Sequence, residues 1–146
     1  MENNNYMLSV KNLKKYFNTP GGKLHAVDDV TFDIPKGTTL GVVGESGCGK
    51  STLGRTILHL HPKTSGQIIF NGRDISDVSK AELHELRKEM QIIFQDPFSS
   101  IDPRMSVKQL IAEPLKIYKL CKSKEEIEQK VRETMDTVGL ASRLAD

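Results

Sequence analysis

The residues best suited to chemistry lie in one glycine-rich run, Gly44–Ser51, with the sequence GESGCGKS. The run matches the phosphate-loop pattern of glycine, four residues, glycine, lysine and serine or threonine. Its glycines let the backbone curl until successive N–H groups point inward, where they favour a bound anion. Lys50 supplies a cation for the β- and γ-phosphates, and the Ser51 hydroxyl is a ligand for Mg²⁺.

This run therefore predicts a site for ATP and Mg²⁺, and a glycine-rich turn without a ligand is the alternative interpretation. The residues predicted to bind the nucleotide here are Gly44, Glu45, Ser46, Gly47, Cys48, Gly49, Lys50, Ser51 and Thr52.

A phosphate loop has to follow a strand and open a helix. Thr38–Val43 is a short apolar, β-branched run that is typical of a central buried strand. Lys50–His61 is predicted as the helix, because its apolar residues recur at i, i+4 and i+7 on one face. Pro62 then ends it.

The other predicted strands share apolar or alternating character and are separated by turn residues, including a loop predicted over Asn18–Lys23. They are Met7–Val10 with the stretch to Phe17, Ala26–Ile34, Gln67–Phe70 and Gln91–Phe94. Asn71-Gly72 is a hairpin signal.

Helices are predicted where polar caps precede apolar stripes. Ser79 with Glu82 forms a capping box that opens a helix through about Met90. From about Val107 the pattern is again helical, with Gly139 as a helix end. One apolar stripe there comprises Ile127, Val131, Met135 and Val138.

Composition excludes several classes. The 146 residues suit one domain of ordinary size. Lys plus Arg number 21 against 19 Asp plus Glu, which is too balanced for a nucleic-acid or membrane-surface binder. No apolar run approaches the roughly 20 residues of a membrane-spanning helix.

The two cysteines form no disulfide framework, so we expect a cytoplasmic protein. The four histidines lack metal-ligand spacing and receive no role.

The stretch Gly41–Thr56, GVVGESGCGKSTLGRT, resembles the ATP-binding subunits of ABC transporters, and among these the oligopeptide and dipeptide importers. The resemblance runs from about residue 8 to the end of the chain. Its further supporting segments are Lys14–Phe17 with His25–Val30, Ser65–Gly72, and Met90–Phe98 with Pro103–Met105.

This resemblance implies an α/β fold of the P-loop NTPase type. A RecA-like core would carry an N-terminal antiparallel β-subdomain and the start of the ABC helical subdomain. Residues 1–99 would hold the β-subdomain and part of the core, and residues 100–146 the beginning of the helical subdomain. The family's Walker B strand, Ser-Gly-Gly-Gln signature and later histidine do not occur in this sequence. We therefore expect a truncated cassette that hydrolyses little ATP by itself.

The resemblance also implies roles for single residues. Lys50 and Gln95 would be catalytic, Ser51 and Gln95 would meet the metal, and Tyr16 would stack on adenine. The alternatives are a core-facing strand aromatic for Tyr16 and a solvent-facing strand-end residue for Gln95. Phe98–Met105 would face the membrane partner, or form an ordinary surface loop.

The function so implied is the ATP-binding, energy-coupling ATPase subunit of an ABC importer for oligopeptides or dipeptides. Its partners would be membrane-spanning permease subunits, a second ATP-binding subunit in a homo- or heterodimer and, indirectly, a solute-binding protein. The subunit would sit peripherally on the inner face of the cell membrane and bind no nucleic acid. The alternatives are another P-loop protein, such as a soluble ATPase or a small-molecule kinase, and an ATP-binding module without catalysis.

Overall fold

An antiparallel sheet organises the N-terminal part of the chain in the computed structural model, which describes residues 5–140. The chain divides into two compact units, the first ending at Gln91 and the second beginning at Ile92. The elements of the first unit are β1 (Tyr6–Thr19), β2 (Gly22–Pro35), α1 (Lys50–Ile57), β3 (Ser65–Phe70), β4 (Arg73–Asp74) and α2 (Lys80–Glu89). Those of the second are a 3₁₀ turn (Phe98–Ser100), α3 (Val107–Ile117) and α4 (Lys124–Thr137).

The strands lie in the order β2-β1-β3-β4, and every pairing is antiparallel. A two-residue turn joins β1 to β2, so that Thr19 pairs with Gly22. The predicted hairpin at Asn71-Gly72 is confirmed: both residues have positive φ, 49° and 80°, as a type I′ turn requires. All four strands are thus built from local hairpins and one longer return through α1.

The core of the first unit lies between this sheet and its helices. Val10, Leu13, Ile68 and Ile75 are fully buried in it, and α1 contributes an apolar face to the same cluster. Leu53 and Ile57 form this face as predicted, whereas Leu60, the predicted third member, lies beyond the helix and is 42% exposed. The predicted capping box of α2 is also present, with both Ser79 and Glu82 bonds made.

Helix α1 is shorter than predicted and ends at Ile57 rather than His61. His59 adopts left-handed backbone geometry with φ of 56°, and the Leu60 N–H donates to the Arg55 carbonyl at 2.8 Å. This is a Schellman-type ending, in which a left-handed residue reverses the chain. The helix therefore ends before it reaches Pro62, the residue predicted to terminate it.

His59 makes the stability of this unit depend on pH. Its Nε2 is buried without a hydrogen-bond partner among the described residues, and burial lowers the pKa of the ring. The unfolded chain therefore binds more protons than the folded one below about pH 6.5, and stability falls as pH falls through that value. Urea unfolding between pH 7 and pH 5 should show this loss in the wild type.

The matched variant is His59→Asn, because asparagine keeps the left-handed geometry and does not titrate. It should lower the pH dependence of the unfolding free energy relative to the wild type. Equal slopes in the His59→Asn variant and the wild type would contradict this assignment.

Two predicted buried strands, Thr38–Val43 and Gln91–Phe94, are wrong for this structure. Neither segment is a strand, and Val43 and Ile93 are 96% and 91% exposed. A parallel strand needs neighbours that take up its N–H and C=O groups and cover its faces. Among residues 5–140 no strand pairs with either segment, and the predicted parallel core sheet is not formed there.

The second unit is helical, as predicted, with α3 and α4 packed around Ala112, Val131 and Met135. Both N-termini are capped by serine, since Ser106 and Ser123 accept N–H donation from the first turn. The stripe on α4 is confirmed except at its last member: Val138 caps the helix and is 63% exposed. Gly139 follows with φ of 71°, the predicted helix end. No helix within residues 5–140 combines the length and apolarity needed to cross a membrane.

Candidate functional site

The glycine-rich run Gly44–Ser51 forms a tight loop that passes directly into α1. The Cys48 N–H donates to the Glu45 carbonyl at 3.3 Å, and Gly47 and Gly49 have φ of 83° and 95°. Gly49 is the N-cap of α1, and its carbonyl accepts from the Leu53 N–H at 2.8 Å. The helix predicted after the loop is therefore confirmed, whereas the strand predicted before it is not formed.

Strand β2 fixes the position of the loop. A Cβ atom placed on Gly49 would lie only 2.0 Å from the carbonyl oxygen of Ala26. No side chain fits in that space, and the left-handed φ of Gly49 independently favours glycine. The loop is consequently pressed against the strand that carries His25 and Ala26.

The start of α1 offers backbone donors toward the loop. Helix geometry leaves the first N–H groups without partners inside the helix. No described side chain caps this N-terminus, which sets it apart from the serine-capped starts of α2, α3 and α4. The N–H groups at Lys50, Ser51 and Thr52 and the positive end of the helix dipole thus face the same loop.

Lys50 is folded over the loop. Its Nζ donates to the carbonyl oxygens of Gly44 and Glu45 at 2.8 and 2.7 Å, and it lies 3.5 Å from Cys48 Sγ. The Cys48 thiol fills the space beside Gly44, where an added Cβ would meet Sγ at 2.8 Å. The ammonium group is thereby held at the loop by two short hydrogen bonds to backbone carbonyl oxygens.

Tyr16 lies near this loop on β1, and it pairs with His25 on β2. The two rings are stacked, with centroids 3.8 Å apart and planes 11° from parallel. The Tyr16 hydroxyl donates to Asp28, whose other carboxylate oxygen lies 3.2 Å from His25 Nδ1. Tyr16 is only partly buried and lies outside the core cluster, so the core-aromatic alternative does not hold.

The same contacts set the ionisation of the group. The hydrogen bond to Asp28 raises the pKa of Tyr16 to about 12. In return the phenol, followed by His25, holds the pKa of the Asp28 carboxyl below its usual range. Asp28 is therefore an anion, and Tyr16 a neutral donor, near neutral pH.

His25 and Asp28 are residues to which the sequence patterns gave no role. The length of the turn between β1 and β2 would have predicted that Tyr16 lies opposite His25. A two-residue turn at Pro20-Gly21 pairs residues 19 and 22, and the same register counted outward pairs 16 with 25. The loop predicted over Asn18–Lys23 is longer than the observed turn, so the predicted loop does not give this register.

Gln95 belongs to the second unit, where it lies exposed at a bend. The residues after it are ordered by Asp96, whose carboxylate accepts from the N–H groups of Phe98 and Ser99 at 3.1 and 3.4 Å. Phe98 itself is exposed. The structure thus places Tyr16 and the glycine-rich loop in one unit, while the role of Gln95 toward a nucleotide stays a prediction.

Comparison with known protein families gives a match to the ABC transporter family over residues 27–146, which include the whole loop and both helices of the second unit. The chain belongs to the ABC transporter family. The resemblance that the loop and the segments around it indicated is therefore confirmed, and a small-molecule kinase no longer competes with it.

Among curated relatives, an oligopeptide transport ATP-binding protein, OppF, from Bacillus subtilis is 53% identical over 135 residues. That alignment covers 92% of this ABC chain and 44% of the relative. The Haemophilus influenzae protein of the same name is 47% identical, with 92% and 41% covered. The chain thus spans less than half the length of the curated relatives it matches.

Solved ABC cassettes share the fold. A dimeric bacterial ABC transporter cassette superposes with a TM-score of 0.79 at 26% identity, over 96% of this chain and 60% of that one. A post-hydrolysis state of the same cassette, bound to ADP and Pi, gives 0.78 at 26% identity, over 95% and 60%. The predicted fold class is confirmed by these neighbours.

Proposed function

We propose that this ABC chain binds ATP with the triphosphate in the Gly44–Ser51 loop. One observation carries the proposal: the uncapped start of α1, the left-handed glycines and the Lys50 ammonium converge on one concave stretch of backbone. Such a site is complementary to a multiply charged anion. Phosphate oxygens would replace the carbonyls of Gly44 and Glu45 as partners of Lys50.

The residues also fit Mg²⁺. Ser51 is exposed in the first turn of α1, next to the N–H groups that would meet the phosphates. Mg²⁺ in phosphate sites takes most of its ligands from phosphate and water, so one hydroxyl is enough to fix its place. When bound, the ion neutralises charge on the phosphate oxygens. We assign Ser51 to it, with Gln95 as the second ligand implied by the family.

The adenine would stack on Tyr16. Its partner His25 is adjacent to Ala26, the residue against which Gly49 packs, so the ring lies along the strand that holds the loop. A base offers a π-face to any aromatic ring, and such stacking is worth about 1–3 kcal/mol. The remaining nucleotide contacts fall to the loop residues named from the sequence.

Hydrolysis follows from the same parts in the full-length protein. Lys50 would stabilise charge on the transferring phosphoryl group, and Gln95 would orient the attacking water. A second ATP-binding subunit would close on the first around the nucleotide, and binding of the γ-phosphate would favour the closed state. The solved dimeric cassette supports such a pairing.

We further propose that the full-length protein drives import of oligopeptides or dipeptides. The support is the identity of 53% and 47% to relatives named for oligopeptide transport. Its partners would be membrane-spanning permease subunits, with a solute-binding protein acting through them, and it would lie peripherally on the cytoplasmic face of the membrane.

Uptake of a labelled tripeptide tests this proposal. Cells that lack the gene should lose uptake, the wild-type gene should restore it, and a Lys50→Ala gene should not, because ATP binding powers the closed state. Uptake of a free amino acid is the control and should not change. Normal peptide uptake in the deleted strain would leave a soluble ABC ATPase without a transporter as the better assignment.

A further inference from the structure

The Tyr16 ring is held by two side chains that no phosphate-loop motif requires. His25 stacks on one face of the ring at 3.8 Å, nearly parallel to it. Asp28 accepts the Tyr16 hydroxyl with one oxygen and lies within hydrogen-bonding distance of His25 Nδ1 with the other. Lys14 adds a cation 3.9 Å from the same carboxylate. The stacking contact with His25 and the hydrogen bond to Asp28 together restrain the orientation of the phenol ring.

These contacts occur on the exposed side of the hairpin, where the side chains of His25 and Asp28 remain about half exposed. Packing therefore does not require them, since the buried core of this unit is made by other residues. A tyrosine on such a surface would otherwise sample several rotamers, and immobilising it on binding would cost side-chain entropy. Fixing the ring in advance removes that cost.

We infer that His25 and Asp28 are positioning residues that hold Tyr16 as a preformed stacking platform for the adenine base. This inference rests on the proposed nucleotide site and deepens it. Asp28 fixes the phenol through its hydroxyl, and His25 supports the ring from the β2 side. We place the base on the ring face opposite His25, because His25 already covers the other face. Discrimination for a nucleoside triphosphate over a bare polyphosphate then depends on residues 25 and 28 as well as on Tyr16.

Two probes separate this role from general damage, namely ATP and inorganic tripolyphosphate, titrated by calorimetry into the full-length protein. His25→Ala and Asp28→Ala should each weaken ATP binding by about two- to tenfold, the range of one aromatic or positioning contact. Neither should change tripolyphosphate binding. His25→Phe restores a ring for stacking and should bind ATP more tightly than His25→Ala. A Tyr16→Ala, His25→Ala double variant should lose no more than Tyr16→Ala alone.

The matched control is His61→Ala. His61 makes an edge-to-face contact with Phe17, the residue after Tyr16, at 5.6 Å, so its removal deletes a histidine–aromatic contact off the platform. It should leave both affinities unchanged.

Three results would overturn the inference. The first is tighter ATP binding by His25→Ala, which would show that the imidazole occupies the place of the base. The second is unchanged ATP binding by both single variants. The third is an equal loss of affinity for ATP and for tripolyphosphate in these variants. The Tyr16→Ala variant shows whether only the positioning role fails or the proposed adenine site fails with it. If it weakens ATP selectively while the other two variants do not, only the positioning role fails; if it has no selective effect, the adenine platform of the proposed function fails with it.

Discussion

Replacing Lys50 with alanine should lower the ATP affinity of the full-length protein by about 10- to 100-fold, the range of a hydrogen-bonded charge. Turnover should fall by about 100-fold or more, because charge on the phosphoryl group is greatest in the transition state. Lys50 Nζ already lies at the loop, 2.8 and 2.7 Å from two carbonyl oxygens, and phosphate oxygens would replace these as its partners. Calorimetry and a phosphate-release assay measure the two effects.

The control for charge is Lys36→Ala in the turn after β2, which removes an equal charge away from the loop and should change neither quantity. AMP should bind weakly to both the wild type and Lys50→Ala, because it lacks the β- and γ-phosphates that the ammonium group is placed to meet. Intact affinity and intact turnover in the Lys50 variant would remove the basis of the nucleotide assignment.

Replacing Gly49 with alanine should be the most damaging single-methyl change in the loop. The left-handed backbone at φ of 95° disfavours an L-residue by about 1–2 kcal/mol. The added Cβ also lies 2.0 Å from the Ala26 carbonyl, so the loop or β2 has to move. We expect an unfolding free energy lower by about 2–4 kcal/mol and an ATP affinity lower by about tenfold or more.

Gly47→Ala is the matched comparison, because Gly47 has a similar φ of 83° and open space within 4 Å of an added Cβ. Its unfolding free energy should fall only by the cost of placing an L-residue in a left-handed backbone conformation, about 1 kcal/mol. Urea unfolding and ATP titration of the two variants separate the effect of the left-handed backbone from the effect of the steric clash with the Ala26 carbonyl. Equal effects would show that the contact between the loop and β2 does not hold the site.

Local interactions explain which predictions succeeded. The capping box of Ser79 and Glu82, the Asn71-Gly72 turn and the apolar stripe on α4 all involve residues within a few positions of one another. Their geometry follows from short-range backbone and side-chain chemistry, so spacing is sufficient to predict them. The glycine-rich loop belongs with them, since its pattern encodes its own backbone conformation.

Predictions that required distant neighbours did less well. Thr38–Val43 and Gln91–Phe94 have strand-like composition, yet a strand exists only where another strand takes its hydrogen bonds. Helix α1 ended early because His59 adopted a left-handed conformation, which is uncommon for residues other than glycine although histidine takes it more often than most. The hydrophobic periodicity of these segments predicts neither the missing strand pairing nor the early end of the helix.

By itself the sequence determined the glycine-rich loop, its lysine and serine, and membership of the ABC transporter family, because these depend on residue types at fixed short spacing. Only the tertiary structure decided that Gly49 packs on Ala26 and that His25 and Asp28 hold Tyr16. Those contacts join residues whose approach is set by the β1–β2 register and by the path of the chain from β2 to α1. Such approach depends on the packing of whole elements, and no local pattern contains it.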